Sequence, residues 1–156
     1  MFCSAMKTPA ITSPDVPLPD GFRFFEWTVV YYPRVPHYFW AKWLKQGFRH
    51  CELWRPYAYG DTEAEVGWLR VVPTFEILEA EIDTNPAPPQ IRFPGCTVQR
   101  VKIMSKAHLV RQWFHWGPMS CTEFCKAALG INKFWIRTPW QLYKYVKRLG
   151  GILRHE

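Results

Sequence analysis

The chain has 156 residues, of which 48% are hydrophobic and 17% are aromatic. This length and apolar content suit one folded domain with a real core and exclude a chain that is disordered throughout. The net charge of +7 is concentrated in residues 98–156, which hold 11 Lys or Arg against two acids. That basic third favours an anionic partner, or else a solvated helix face whose lysines serve solubility.

The cysteines indicate a reducing compartment. Their number is odd and their spacing is irregular, which is not typical of a disulfide framework. They are Cys3, Cys51, Cys96, Cys121 and Cys125. Residues 1–20 lack the continuous apolar stretch of a signal peptide, and no apolar run approaches membrane-spanning length. We therefore expect a cytoplasmic protein without a transmembrane segment.

The elements follow one another in a simple order. Four prolines among small polar residues predict a flexible tail over 1–20, which leaves one domain over 21–156. Residues 38–46 suit one or two helical turns that end at Gly47. Alternating or β-branched and aromatic segments predict five strands, over 24–32, 48–54, 66–72, 75–82 and 97–104. Prolines predict a loop over 85–90, and residues 107–116 show no clear period.

Two helices are predicted after the strands. Ser120 begins the first, because its spacing to Glu123 is that of a capping box, and Gly130 ends it. Thr138 and Pro139 begin the second as its N-cap and first helical residue. Its apolar face is formed by Leu142, Tyr145, Val146 and Leu149, and Gly150-Gly151 ends it. A strand-rich region followed by helices predicts an α+β fold.

Cys121 occupies the first position of the first of these helices. Unpaired N–H groups and the positive end of the helix dipole favour a thiolate there, and the thiolate is the reactive form of cysteine. This placement predicts a nucleophile. The alternative is an inert buried thiol, which is the usual state of a free cysteine. Cys125 shares the helix face of Cys121 and is expected to pack beneath it.

A cysteine nucleophile needs a base, usually a histidine, and a polar group that orients the base. Among the five histidines, His50 lies near the start of a predicted strand, where a base is held rigidly. A histidine with a purely structural role in the strand is the alternative. Cys51 points to the opposite strand face from His50 and is expected in the core.

These residues belong to a pattern that resembles a known group of proteins. The pattern is Gly47-Phe48-Arg49-His50, then Ser120-Cys121 with Phe124, Lys126 and Leu129-Gly130-Ile131, then Thr138-Pro139 with Leu142-Tyr143. Over residues 24–150 it resembles small phage-encoded proteins related to the circularly permuted papain-like (NlpC-type) superfamily of cysteine hydrolases. In the permuted branch, which includes lecithin retinol acyltransferase-like proteins, the His precedes the Cys in the chain.

The resemblance implies a small antiparallel sheet with a Cys-bearing helix packed on it. It also implies action on amide, thioester or ester bonds of peptides or acyl lipids, in the cytoplasm of a host cell if the protein is phage-encoded. Cys121 would be the nucleophile and His50 the base, and the backbone N–H of Cys121 would be one oxyanion donor. No cofactor is implied.

The same resemblance places a third polar residue on the strand after the His strand, near residues 68–76. Val71-Val72-Pro73 occupies that place, and Thr74 and Glu76 are the nearest candidates. Catalysis by two residues and an inactive enzyme are therefore both alternatives to a complete triad.

Two other functions compete with the hydrolase. A zinc site has the right ligand types, although not the spacing of compact zinc motifs. Its candidate ligands are Cys96, His108, His115, Cys121 and Cys125. A catalytically inactive papain-like protein could instead hold a host, virion or other anionic partner through the basic C-terminal third. The residues for this are Lys144, Lys147, Arg148, Trp135, Trp140 and Tyr143.

Overall fold

The computed structural model describes residues 22–34, 42–58, 66–73, 78–106 and 120–154. These residues form an α+β fold, as the sequence predicts. The strands are β1 (Phe22–Tyr32), β2 (His50–Ala58), β3 (Val66–Pro73), β4 (Leu78–Asp83), β5 (Thr97–Lys106) and β6 (Ile152–Arg154). The helices are α1 (Pro89–Arg92), α2 (Cys121–Ala128) and α3 (Pro139–Arg148).

The six strands form one mixed sheet in the order β4-β3-β2-β1-β5-β6. The expected antiparallel pairing holds for the first five of them. β6 differs, because it lies parallel to β5. Parallel neighbours need a long crossover, and α2 and α3 lie between β5 and β6 in the chain.

The predicted elements agree with the structure except at short segments. β4 is described from Leu78 to Asp83, and its predicted start at residue 75 falls in residues 74–77, which lie outside the described residues. The helix α1 falls in the predicted loop, where Pro89 takes the first helical position. β6 has three residues, too few for a recognisable alternation. The predicted tail, residues 107–116 and residues 35–41 also lie outside the described part of the chain.

The core lies between one face of the sheet and the helices α2 and α3. Alternate residues of the central strands point into it, and Cys51 is among them as predicted. The buried residues from these elements are Val29, Tyr31, Cys51, Leu53, Cys125, Leu142 and Val146. On the predicted apolar face of α3, Leu142 and Val146 are buried, Tyr145 is partly buried and Leu149 is exposed.

Local hydrogen bonds begin and end α2 at the predicted residues. The Ser120 side chain accepts a hydrogen bond from the Glu123 N–H at 3.2 Å. Lys126 Nζ donates to both oxygens of the Glu123 carboxylate at 2.8 Å, which strengthens the first turns of the helix. Gly130 follows the helix with a φ of 69°, a left-handed conformation that favours glycine. These contacts place Cys121 at the first helical position.

The second face of the sheet is covered near β2 by residues that follow the start of α1. Trp54 lies on this face, and its ring is 5.3 Å from the guanidinium carbon of Arg92 and 5.9 Å from the ring of Phe93. His50 and Glu52 point to the same face as Trp54, because strand residues two apart share a face. Arg92 and Phe93 therefore cover Trp54, and Glu52 is buried on the same face of β2. Among the described residues, no helix has both the length and the hydropathy needed to cross a bilayer.

Candidate active site

The structure brings the predicted base and the predicted nucleophile together. His50 is the first residue of β2, whose start is joined to the end of β1 by a 2.9 Å hydrogen bond from the Arg49 N–H to the Tyr32 carbonyl. Cys121 is the first residue of α2. The side chains of His50 and Cys121 interact: Cys121 acts to raise the pKa of His50, and His50 acts to lower the pKa of Cys121. The His50 side chain is 20% exposed, and Cys121 is partly exposed.

Glu52 holds the other side of the His50 ring. Its Oε1 lies 3.3 Å from His50 Nε2, and its side chain is only 5% exposed. Since Nε2 faces Glu52, Nδ1 is the ring nitrogen that remains for Cys121. The order Cys121–His50–Glu52 is the arrangement of a nucleophile, a base and a group that orients the base.

The Glu52 carboxylate is supported by three further residues. Tyr32 donates its hydroxyl to Oε2 at 2.9 Å, and the Trp54 indole donates to the same oxygen at 3.3 Å. Arg70 forms a bidentate ion pair with this carboxylate. Its Nε donates a hydrogen bond to Oε2 at 2.9 Å and its Nη2 donates one to Oε1 at 3.1 Å. Arg70 also donates Nη1 to Glu81 on β4 at 3.0 Å. A carboxylate with this many donors stays ionised although it is buried.

The pKa values of His50 and Glu52 move in opposite directions, as in an ion pair. Burial acts to lower the pKa of His50, but hydrogen bonds and charge from Cys121 and Glu52 outweigh burial and raise it to about 9. Burial acts to raise the pKa of Glu52, but His50 and Arg70 overcome it and lower it to about 2. His50 is therefore an imidazolium at neutral pH.

The Cys121 thiol does not have the low pKa that its helix position predicts. The interaction with Cys51 and then burial raise its pKa well above the ordinary value, whereas His50 acts to lower it. At neutral pH, His50 is thus an imidazolium and Cys121 is a neutral thiol. Because the two groups interact, the pair loses its first proton as a unit, near the pKa of about 9 at His50.

Glu52 is the residue that the sequence analysis missed. A third group was expected on the next strand, and Thr74 and Glu76 lie outside the described residues. The acidic residue that contacts His50 is instead on the same strand, two residues on. The period of two along a strand could have identified it, because that period places His50 and Glu52 on one face. The expected next strand contributes Arg70, which holds Glu52 rather than His50.

The first turn of α2 supplies backbone donors beside the Cys121 sulfur. The Glu123 N–H is bound by the Ser120 side chain, and the Phe124 N–H by the Ser120 carbonyl. The N–H groups of Cys121 and Thr122 have no acceptor within the helix, because the first N–H groups of any helix lack one. They are suited to stabilise an oxyanion formed on a carbonyl carbon attacked by Cys121.

The zinc alternative gains no support from the described residues. No group of three or more His, Cys, Asp or Glu side chains among them has the geometry to hold a metal ion. Cys96 instead donates its thiol to the Pro89 carbonyl at 3.7 Å. His108 and His115 lie outside the part of the chain that the structure describes.

Comparison with known proteins gives no family for this chain. No protein-family model matches it, and neither a curated protein nor a solved structure does. The resemblance to permuted papain-like proteins therefore stays a prediction, and the chemical argument depends on the geometry of the site.

The ion pair between His50 and Glu52 predicts how stability depends on pH. The folded pKa of His50 is about 9 against 6.5 ordinarily, so its contribution is complete below pH 6.5 and is lost as the pH rises through 9. The folded pKa of Glu52 is about 2 against 4.5 ordinarily. Its contribution to stability is therefore complete above pH 4.5 and is lost as the pH falls through 2. From pH 6.5 to 8 the His50 contribution falls by about 2 kcal/mol.

Urea unfolding at pH 6 and pH 8 measures this loss, with His50→Gln as the reference. We expect the free energy of unfolding to fall more steeply with pH in the wild type than in the variant, by about 2 kcal/mol over this range. Parallel pH dependences of the two proteins would show that His50 is not held as an imidazolium.

Glu52 also predicts the protonation of His50 itself. In Glu52→Gln the carboxylate charge is gone, so we expect the pKa of His50 to fall from about 9 by about one unit or more. Nuclear magnetic resonance titration of the His50 ring measures this pKa. Glu81→Gln is the matched control, because Glu81 contacts Arg70 but lies at the exposed edge of the network. Equal His50 pKa values in the two variants would contradict the assignment of Glu52.

Proposed function

We propose that this protein is a cysteine hydrolase or acyltransferase that acts on an amide, thioester or ester bond. Cys121 is the nucleophile, His50 carries the proton, and Glu52 holds His50. The observation that supports this most is the placement of one imidazole between a thiol at a helix N-terminus and a buried carboxylate.

A purely structural role explains this arrangement less well. Glu52 and Arg70 already form a bidentate ion pair. The buried carboxylate is therefore paired with a cation even without His50. His50 is a second basic group at Glu52, and its other ring nitrogen, Nδ1, faces the Cys121 thiol. Perturbed titratable groups that meet at a partly exposed point are typical of catalytic sites.

The geometry supports a two-stage reaction. His50 acts as a base only after it has lost its own extra proton, near its pKa of about 9. As the Cys121 sulfur then attacks the carbonyl carbon of the substrate, the neutral His50 takes the thiol proton at Nδ1 and gives it to the leaving group. Glu52 accepts the Nε2–H and stabilises the imidazolium, while the N–H groups of Cys121 and Thr122 stabilise the oxyanion. Water or a second nucleophile, deprotonated by His50, then removes the acyl group from Cys121.

The chain order is consistent with a permuted papain-like fold, which forms part of this proposal. His50 lies on a central strand and precedes Cys121, which begins a helix packed against that strand. The parallel strand β6 is an addition at the sheet edge, far in strand order from β2. The free thiols of Cys51, Cys96, Cys121 and Cys125 support a reducing, cytoplasmic location.

A small activated ester tests the proposed nucleophile without knowledge of the natural substrate. With p-nitrophenyl acetate at pH 9, we expect one acetyl group on Cys121, detected by peptide mass spectrometry. Cys96 is an internal control, because it is a partly exposed thiol that hydrogen-bonds a backbone carbonyl. His50→Gln should slow acetylation of Cys121 by about 100-fold. Glu52→Gln should slow it less, and Glu81→Gln should not change it.

The proposal would be contradicted by acetylation of Cys121 and Cys96 at similar rates. It would equally be contradicted by a rate at Cys121 that does not change in His50→Gln. In either case the contact between the two residues would have no catalytic role.

A second candidate function is binding of an anionic partner through the C-terminal third. The ammonium groups of Lys45 and Lys144 lie 5.7 and 5.6 Å from the centre of the Trp140 ring. Lys147 lies 5.7 Å from the centre of Tyr143, which stacks on Trp140. All three lysines are exposed, and residues 124–155 contain no acid.

This surface gathers most of the predicted binding residues but not all of them. Trp135 instead contacts Tyr145, at 5.7 Å between ring centres. The combination of unneutralised lysines with aromatic rings is typical of surfaces that bind single-stranded nucleic acid.

A labelled oligothymidylate tests the second candidate. We expect binding that weakens as salt is added, because phosphate contacts release counterions. The double variant Lys144→Glu/Lys147→Glu should bind at least about tenfold more weakly. Lys133→Glu, a single charge reversal in the loop before α3, serves as the control. Fluorescence anisotropy measures the affinity, and an equal loss per reversed charge in the two proteins would indicate attraction by net charge alone.

A further inference from the structure

Three thiols meet where α2 packs on β2, and the proposed reaction uses only one of them. Cys51 on β2 and Cys125 on α2 belong to one core cluster, and Cys121, one turn before Cys125, packs against that cluster and interacts with Cys51. Cys51 and Cys125 are completely buried, whereas Cys121 is partly exposed. The nucleophile thus has a second thiol directly beneath it.

The backbone elements hold this row of thiols in place. Cys51 points inward from β2, and Cys121 and Cys125 share one face of α2 because they are four residues apart. A disulfide needs two sulfur atoms about 2 Å apart on side chains that face each other. Because α2 packs directly on β2, Cys51 and Cys121 face each other across that interface as neighbouring thiols.

We propose that Cys51 and Cys121 form a reversible disulfide when a hydroperoxide oxidises Cys121. This inference rests on the proposed function in one respect, because the disulfide would regulate the site by removing its nucleophile. The formation of the bond needs no substrate and can be measured without any catalytic assay.

The disulfide between Cys51 and Cys121 forms in two steps. The Cys121 sulfur attacks one oxygen of the hydroperoxide, the O–O bond breaks, and the products are a sulfenic acid on Cys121 and water or an alcohol. The sulfur is oxidised and the peroxide is reduced by two electrons. The Cys51 sulfur then attacks the sulfenic sulfur, the S–O bond breaks, and the oxygen leaves as water with the Cys51 proton.

Exposure decides which thiols take part. Cys121 is the member of the row that is open to solvent, so the oxidant meets it first. Cys51 contacts it and captures the sulfenic acid. Cys125 lies one turn deeper on α2 and is buried against the core. The disulfide would also protect Cys121, because a sulfenic acid that is not captured goes on to irreversible oxidation.

The experiment uses the full chain with an equimolar amount of hydrogen peroxide at pH 9. Free thiols are then blocked with iodoacetamide, and the digest is analysed by mass spectrometry. We expect a peptide pair linked between Cys51 and Cys121 that has lost two hydrogens. Iodoacetamide labelling of Cys121 should fall about tenfold and should return after treatment with dithiothreitol.

Two alanine variants separate the roles of the buried thiols. In Cys51→Ala, the first equivalent of peroxide gives the sulfenic acid of Cys121 and a second added equivalent should convert it to the sulfinic acid, after which dithiothreitol should not restore labelling. Cys125→Ala is the matched control, since it removes the other buried thiol of the row but should leave the Cys51–Cys121 disulfide intact. Circular dichroism checks the folding of each variant, and the peptide map of the wild type decides by itself if a variant does not fold.

Two results would overturn the inference. One is a disulfide between Cys51 and Cys125, which would leave Cys121 free. The other is oxidation of wild-type Cys121 to the sulfinic acid with no linked peptide. Neither result depends on acetylation of Cys121, so a failure of the disulfide and a failure of the proposed function can be told apart.

Discussion

The buried carboxylate of Glu52 is the group on which the site depends. It lies in a low-dielectric environment and stays ionised because Arg70, Tyr32, Trp54 and His50 all donate to it or pair with it. Each of these groups is held in turn by the carboxylate. The ring of His50 is thereby held with one nitrogen toward Glu52 and the other toward the start of α2. Loss of Glu52 would leave the Arg70 guanidinium with the exposed Glu81 as its one carboxylate partner among the described residues, beside its contact with the Trp54 ring.

The strand β2 serves two purposes because its residues alternate between two faces. His50, Glu52 and Trp54 form a polar and aromatic row on one face of β2, while Cys51 and Leu53 point into the core against α2 and α3. Cys121 is at the one place where both rows can reach it, the start of β2 next to the start of α2. It therefore contacts His50 from one row and Cys51 from the other.

The two rows act on the Cys121 thiol in opposite directions. A helix N-terminus stabilises a nearby anion by about 0.3–1 kcal/mol, less than one pKa unit. The interaction with Cys51 and then burial raise the pKa of Cys121 well above its ordinary value. The helix position alone thus gives the wrong direction for the pKa of Cys121. The reactivity of Cys121 depends on His50. The neighbouring Cys51 thiol opposes it, because Cys51 raises the pKa of Cys121 and can form a disulfide with it.

Local patterns in the sequence were sufficient for the α+β class, for the caps of α2 and α3, and for singling out His50 and Cys121 as separate candidates. These features depend on hydrogen bonds and periodicities within a few residues, as in the Ser120 cap and the Thr138–Gln141 capping box. The period of two along the strand could also have identified Glu52, but it could not have identified its partner Arg70. Their contact depends on the register between β2 and β3 and spans 18 positions in the chain. The tertiary structure alone decided which carboxylate would be buried, which cation would hold it, and how the surroundings of Cys121 would set its pKa, because each of these depends on groups brought together from distant strands and helices.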